Sequence, residues 1–302
     1  MSQNYQNPQN HIDTTGGAQP LAAALKTVLF LFVALCLSTS CKKEVDMTLV
    51  QKIVHEDHTL EQIRVNDGWD VTIVYDSLSS FVELEYSAYL EEYVSVTEID
   101  NGVSIAFNSK FYKQPYSVYK ATIHTKERDY LTISAENKSI VTLEGRFELE
   151  NSFEMNLHSA SVCSGFEVST PLCSILATEE SQLLGAHYEG ANCSVLVTKN
   201  SCCKGDFAVG ESFNADVMIQ SQLILFGGSM PSARIEAKEG STINMAQSEV
   251  EEMYVLLDGA SEATVNVTNN ITGFLLSAST LYYRGNPVID IDCSDDSQLI
   301  RY

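Results

Sequence analysis

The sequence predicts an all-β protein built largely from parallel β-helix-like coils of about 20 residues, preceded by a strand-rich part. Short segments rich in β-branched and aromatic residues alternate with turns of Gly, Asn, Asp and Ser. No segment keeps a helical period, and the nearest to one, around Tyr89 to Tyr93, predicts at most a short turn of helix. A small polar step ending in serine recurs every 20 residues, at Ser161, Ser181, Ser201, Ser221, Ser241 and Ser261.

A period of 20 residues is what a coiled parallel β structure requires. One coil cannot bury its own inward face, so it stacks on neighbours ~4.8 Å away, which completes the backbone hydrogen bonds and a continuous core. The position two residues after each serine is mostly apolar and should form an inward column. This column comprises Val141, Cys163, Leu183, Cys203, Leu223, Ile243, Ala263 and Leu281. A β-sandwich with evenly spaced strands is the alternative.

The cysteines test this period directly. The part of the chain after residue 135 contains Cys163, Cys173, Cys193, Cys202, Cys203 and Cys293. They form no C-x-x-C pair, which argues against a zinc ribbon or a thioredoxin-like site. Cys173 and Cys193 are one repeat apart and should be neighbours, at a spacing that permits a disulfide without requiring one. Cys163 and Cys203 are two repeats apart and should be separated by Leu183.

The N-terminus has the features of a signal peptide of the lipoprotein type, which we assign to residues 1–40. An apolar run at 27–37 follows a lysine and is too short to span a bilayer comfortably. It continues through small residues directly into Cys41, a pattern that resembles the bacterial lipobox, in which the cysteine is acylated. We therefore predict Cys41 as the lipidation site and residues 41–54 as a lipidated tether. An uncleaved membrane anchor and an ordinary signal peptide are the alternatives.

The mature chain changes character near residue 135. Residues 55–135 alternate with period two and contain a type I′ hairpin signal at Asn101-Gly102, which predicts a strand-rich part. Residues 136–302 contain the serine steps and are predicted to form the β-helix coils of the same domain.

Three groups of residues carry a family resemblance. The opening pattern Ile-x-Val, a Gly turn and Val-x-Ile is formed by Ile63, Val65, Gly68, Val71 and Ile73. The second pattern is formed by Leu90, Val94, Val96, Gly102, Val103 and Ile105. The closing pattern Ser-x-Leu-x-Tyr-x-Gly-x-Pro is formed by Ser279, Leu281, Tyr283, Gly285 and Pro287.

With these motifs, roughly residues 55–302 resemble the head GIN domain family of putative auto-transporter adhesins, which is common among bacterial envelope lipoproteins. The resemblance implies a parallel β-helix-like fold and a location in the cell envelope, in this case lipid-anchored at the outer membrane on an unresolved face. The family carries no established catalytic residues, so the resemblance transfers none to this chain.

The charge of the chain excludes some classes of partner. Asp and Glu number 40 against 18 Lys and Arg, which gives a formal net charge of −22. Nucleic acids and anionic lipid surfaces are recognised by clustered Lys and Arg, so we expect neither as a partner. We interpret the excess of acidic residues as a feature that keeps a surface-exposed protein soluble. The alternative is that surface carboxylates bind cations.

Two clusters could hold metal ions. His55-Glu56-Asp57-His58 lies between the tether and the first strand, where no helix places both histidines on one face, and we interpret it as a solvated loop. Asp290, Asp292, Asp295 and Asp296 could bind calcium, but their spacing matches no calcium loop, and charge on an end strand prevents edge-to-edge pairing. We expect no metal site and no cofactor.

These observations favour a non-enzymatic envelope lipoprotein, an adhesin or binding module whose ligand is an unknown protein or glycan. The alternatives are a polysaccharide lyase or glycoside hydrolase on a β-helix and a purely structural scaffold. Such enzymes place paired carboxylates, or acidic residues with Arg or Lys, on one outward face. No predicted column stacks acidic residues over adjacent coils, and the one tryptophan, Trp69, precedes the coils.

Overall fold

The structure, a computed structural model, describes residues 45–56, 58–111 and 113–302. The signal sequence and Cys41 lie outside the described residues. Residues Met47–Tyr302 form one unit made of strands, with a single short 3-10 helix at Ala88–Leu90. In this part of the chain no helix has the length and apolar character needed to cross a membrane.

The N-terminal strands precede the regular coils. They are β1 (Leu49–Val54), β2 (Gln62–Val65), β3 (Asp70–Tyr75), β4 (Phe81–Ser87), β5 (Val94–Ile99), β6 (Gly102–Phe107) and β7 (Tyr119–Thr125). β4 is antiparallel to both β1 and β7, and β5 is antiparallel to β6 through the predicted hairpin at Asn101-Gly102. β1 and β5 are therefore the two end strands of the N-terminal end.

The remaining strands form the coils. They are β8 (Tyr130–Ala135), β9 (Ile140–Glu144), β10 (Phe147–Glu148), β11 (Ser152–Leu157), β12 (Val162–Ser164), β13 (Glu167–Ser169), β14 (Leu172–Ala177), β15 (Gln182–Val197), β16 (Cys202–Val217), β17 (Gln222–Leu225), β18 (Ser229–Ala237), β19 (Thr242–Leu257), β20 (Glu262–Leu275), β21 (Thr280–Arg284), β22 (Val288–Cys293) and β23 (Gln298–Arg301). They make a β-solenoid of ~9 turns with ~20-residue spacing over 130–301, which confirms the predicted fold class.

Two long parallel ladders run along the solenoid. The first ladder contains β6, β2, β8, β11, β14, the second halves of β15 and β16, β18, the second halves of β19 and β20, and β22. The second contains β7, β3, β9, β12, the first parts of β15 and β16, β17, the first parts of β19 and β20, β21 and β23. Shorter pairings, such as β10 with β13, form a third side.

Each coil passes from the first ladder to the second through a left-handed corner. Two consecutive residues have positive φ at each corner from 137–138 to 277–278, for example Glu179 (φ 60°) and Glu180 (φ 66°), whereas the last corner, at 294–297, has none. A non-glycine residue in this conformation costs about 1–2 kcal/mol. The corner stays hydrogen-bonded to the next coil, because the N–H of Glu180 donates to the carbonyl of Lys199 at 2.9 Å. The stack therefore continues through the bend rather than stopping at it.

The recurring serine closes this corner. The side chains of the serine steps are buried, and from Ser181 to Ser261 each hydroxyl accepts a hydrogen bond from the backbone N–H of the serine one coil earlier. The N–H of Ser181, for example, lies 3.1 Å from Oγ of Ser201. The hydroxyl also donates within its own coil, as from Ser161 to the carbonyl of His158 at 2.7 Å. A small hydroxyl residue is required because it must both fit the corner and satisfy the buried N–H.

The N-terminal strands already belong to the ladders. β2 and β3 do not pair with each other but lie in different ladders, beside β8 and β9. They are joined by a corner of the same type, in which Asp67 and Gly68 have positive φ. The N–H of Gly68 donates to Oγ of Ser139. Trp69 follows this corner with none of its surface exposed, against Phe107. It is thus a core residue of the N-terminal strand-rich part, which precedes the coils of 130–301.

The inward column is confirmed. Leu183, Cys203, Leu223 and Ile243 are paired in this order in successive coils and are all fully buried. Cys173 and Cys193 are direct partners in neighbouring coils, as the period predicts. Leu183 separates Cys163 from Cys203, which rules out an evenly spaced β-sandwich register.

The column should dominate stability. We expect Leu223→Ala to lower the free energy of unfolding by about 2–5 kcal/mol, because it leaves a cavity between two coils that cannot collapse. The matched control is Ile224→Ala on the outward side of the same strand, where the side chain is half-buried. Urea unfolding of both variants measures the difference, and equal losses would contradict the inward assignment.

The serine corner should contribute through a single hydrogen bond. We expect Ser201→Ala to cost about 1–3 kcal/mol, because the buried N–H of Ser181 loses its acceptor. Ser194→Ala, on the exposed side of β15, is the control and should be close to neutral. Thermal unfolding compares the two, and a neutral Ser201→Ala would show that the corner does not need the hydroxyl.

Candidate functional site

The outward face of the first ladder carries charged, polar and aromatic side chains in adjacent coils. Period-two alternation turns Ala215 and Ile235 into the core and leaves their sequence neighbours outside. Asn214, Arg234 and Tyr254 are partners in one outward row, and Asp216, Glu236 and Leu256 are partners in the next row. We call Asp216, Arg234, Glu236, Lys238 and Tyr254 the Arg234–Tyr254 surface.

Contacts within this surface fix its side chains. The guanidinium of Arg234 lies 4.6 Å from the centre of the Tyr254 ring, a cation–π geometry. Arg234 also donates to one carboxylate oxygen of Glu236, and the ammonium of Lys238 donates to the other at 2.7 Å. The Glu236 side chain is only 13% exposed, whereas that of Arg234 is 48% exposed. The result is a planar, preorganised face with a guanidinium and an aromatic ring accessible to a partner.

One expectation from the sequence is corrected here. Asp216 and Glu236 are direct partners in adjacent coils on the outward face, so one column does stack acidic residues. The two residues are one 20-residue repeat apart, so the period pairs them, but the structure is needed to show that both side chains face outward. Both carboxylate oxygens of Glu236 accept hydrogen bonds from cationic side chains, one from Arg234 and the other from Lys238.

The histidine loop is more organised than the sequence indicates. Nδ1 of His58 lies 3.4 Å from Oε1 of Glu98 on β5, and the rings of His55 and His58 meet edge to face with centroids 5.4 Å apart. Sequence reasoning treated this segment as a solvated loop and missed Glu98, which becomes a neighbour only through the β5–β6 hairpin. No local motif could have identified it.

The C-terminal aspartates behave differently. Asp290, Asp292, Asp295 and Asp296 are all exposed, and they do not form a group of convergent ligands in the described part of the chain. Hydrogen bonds from the Ser294 hydroxyl and the backbone N–H of Ala278 lower the pKa of Asp296. This carboxylate therefore serves as the hydrogen-bond acceptor for a hydroxyl and a backbone N–H at the last corner of the solenoid.

The core thiols are free and buried. Burial raises the pKa of Cys163 to about 12 and raises the pKa of Cys193 well above its ordinary value. Thiols of this kind stay protonated at neutral pH and are poor nucleophiles and poor metal ligands. Cys173 and Cys193 thus pack as small apolar side chains in the stack, without a disulfide.

Solved structures share this architecture. A "putative adhesin" from Parabacteroides merdae aligns with a TM-score of 0.62 at 14% identity, covering 84% of this chain and 96% of the other. A second, from Parabacteroides distasonis, aligns with a TM-score of 0.61 at 15% identity, covering 85% and 98%. A "putative lipid binding protein" from the same species aligns at 0.51 and 12% identity, covering 85% and 98%. At these identities the similarity demonstrates the fold alone.

Comparison with curated proteins gave no relative. A family model does match, over residues 59–287, which is most of the chain. The match includes the opening and second motifs and extends to Pro287 at the end of the closing motif. The chain therefore belongs to the family described as "Putative auto-transporter adhesin, head GIN domain".

Proposed function

We propose that this protein is a non-enzymatic, lipid-anchored adhesin or binding module of the bacterial cell envelope, and that the Arg234–Tyr254 surface contacts its ligand. The observation that carries the proposal is the exposed guanidinium stacked on an aromatic ring in the middle of a rigid sheet. Tyr and Arg are the residues that most often dominate the affinity of protein interfaces, because they offer large contact area together with hydrogen-bonding groups. Membership of an adhesin family supports the same function and an extracytoplasmic location.

Binding fits this surface better than catalysis does. A glycosidase needs one carboxylic acid that donates a proton and a second carboxylate, placed on either side of the bond that breaks. Asp216 and Glu236 lie side by side on one face of the sheet. Glu236 forms ion pairs with both Arg234 and Lys238. The indole of Trp69 is buried and cannot serve as a platform for a sugar ring.

Anchoring is the second part of the proposal. The apolar run at 27–37 leads through small residues into Cys41, and the folded unit begins soon afterwards at Met47. Acyl chains on Cys41 would hold the solenoid at the membrane by a short tether.

The anchor is tested by one substitution. We expect Cys41→Ala to release the protein from the membrane fraction, because acylation requires the thiol. Cys36→Ala, within the apolar run, is the matched control and should leave the protein membrane-bound. Fractionation and mass spectrometry report location and processing. A Cys41→Ala protein that is processed and retained like the wild type would contradict lipidation at this residue.

The ligand surface is tested with residues 47–302 on arrays of glycans and of envelope and host proteins. For any ligand retained, we expect Arg234→Ala and Tyr254→Ala each to weaken binding at least about tenfold, or ~1.4 kcal/mol. Tyr282→Ala is the matched control, since this tyrosine is also half-buried but faces outward on the second ladder. It should bind like the wild type.

Three outcomes would contradict the proposal. Retention unaffected by both variants would place the binding site elsewhere. Release of oligosaccharides from a polysaccharide, lost in Asp216→Asn, would identify an enzyme. Absence of any retained ligand would favour a purely structural scaffold.

A further inference from the structure

We propose that His55, His58 and Glu98 form a binding site for a divalent transition-metal ion of the zinc type. One ligand atom from each of these residues lies within 4.8 Å of the other two, and the described part of the chain contains no other such group of three. Two imidazole nitrogens and one carboxylate oxygen are a donor set used by zinc sites that keep one position open. This site is separate from the Arg234–Tyr254 surface and does not depend on it.

The distances fit an ion. Ligand atoms about 2.0–2.1 Å from a tetrahedral zinc ion lie about 3.3 Å from one another. Nδ1 of His58 and Oε1 of Glu98 are 3.4 Å apart, so a shared ion can be accommodated with little movement. The two imidazoles meet at an interplanar angle of 81°, which lets a nitrogen of each ring approach one point instead of stacking face to face.

The fold builds the site from two separate segments, the β1–β2 connection and β5. His55 follows the last residue of β1 and has a φ of 54°, which redirects the chain beyond the end of the strand. His58 lies in the connection to β2, and Glu98 lies on β5. The backbone N–H groups of Glu61 and Gln62 both donate to the carbonyl of Asn101, which fixes this connection against the β5–β6 hairpin.

The position of the site suggests its role. β1 ends the second ladder and β5 ends the first, and each pairs on one side only. An ion held by His55, His58 and Glu98 would clip these two end strands together. Because the ion binds the folded state and not the unfolded chain, it would stabilise the N-terminal end of the solenoid. The His58 and Glu98 side chains are 45% and 64% exposed, so the ion can enter from solvent.

The test uses the full chain without a histidine tag, in detergent, with Cys293→Ser in every sample, because an exposed thiol binds zinc on its own. Zinc affinity is measured by competition with a chromophoric chelator, and cobalt is used as a spectroscopic substitute. We compare the parent chain with His58→Ala and with Glu98→Gln, which keeps the shape of an exposed side chain. His187→Ala is the matched control, since His187 is also 45% exposed and lies 4.0 Å from a carboxylate, that of Asp206.

We expect the parent chain and His187→Ala to bind one ion at the same affinity and to unfold at a higher temperature when zinc is present. His58→Ala and Glu98→Gln should each lose at least about tenfold in affinity and should lose the thermal shift. The cobalt spectrum should show nitrogen and oxygen ligands, without a thiolate band. The proposal is overturned if zinc does not bind saturably, or if both variants bind as the parent chain does while circular dichroism shows that they are folded.

Discussion

The coils of this solenoid bend through two left-handed residues at the corners from 137–138 to 277–278. From Ser161 to Ser241, the N–H of the serine that follows the bend donates to the serine hydroxyl of the next coil. A buried backbone N–H without an acceptor costs about as much as a lost hydrogen bond, so each corner is stable only with an acceptor from the next coil. The hydroxyl of Ser201 lies 3.1 Å from the N–H of Ser181, a distance possible only when consecutive serines are in register. The corner therefore fixes how each coil sits on the one below.

The register that is set at the corners fixes the strand pairing in both ladders, whereas the pairing on the third side varies between coils. Between β19 and β20 the offset between partners falls from 20 residues, at Met245 and Val265, to 17, at Val250 and Val267, and then becomes 18, at Glu252 and Asn270. The adjacent corners keep their left-handed pair and their serine. Because a one-residue slip would turn every side chain to the opposite face, the register also determines which residues face outward. The stacking of Arg234 on Tyr254 is one consequence.

Side chains that the 20-residue period does not bring together meet at the N-terminal end, where the repeat stops. Antiparallel strands replace parallel coils at the N-terminal end, and there the structure brings together side chains that no ladder would align. His55, His58 and Glu98 are an example, with the last residue arriving through a hairpin. In the coils, by contrast, neighbours follow the period, so that Glu179 and Lys199 form a 2.9 Å ion pair one coil apart.

The sequence by itself determined the coil, because inward apolar residues and corner serines must recur at one spacing for each coil to bury its face on the next. That spacing was enough to place Cys173 beside Cys193 and Leu223 in the core. Where no period relates two residues, only the tertiary structure decided whether their side chains are neighbours. The approach of Glu98 to His58 depends on a hairpin that folds back across the end of the stack. Neither local pattern nor spacing encodes such contacts, since they arise only after the ladders have formed.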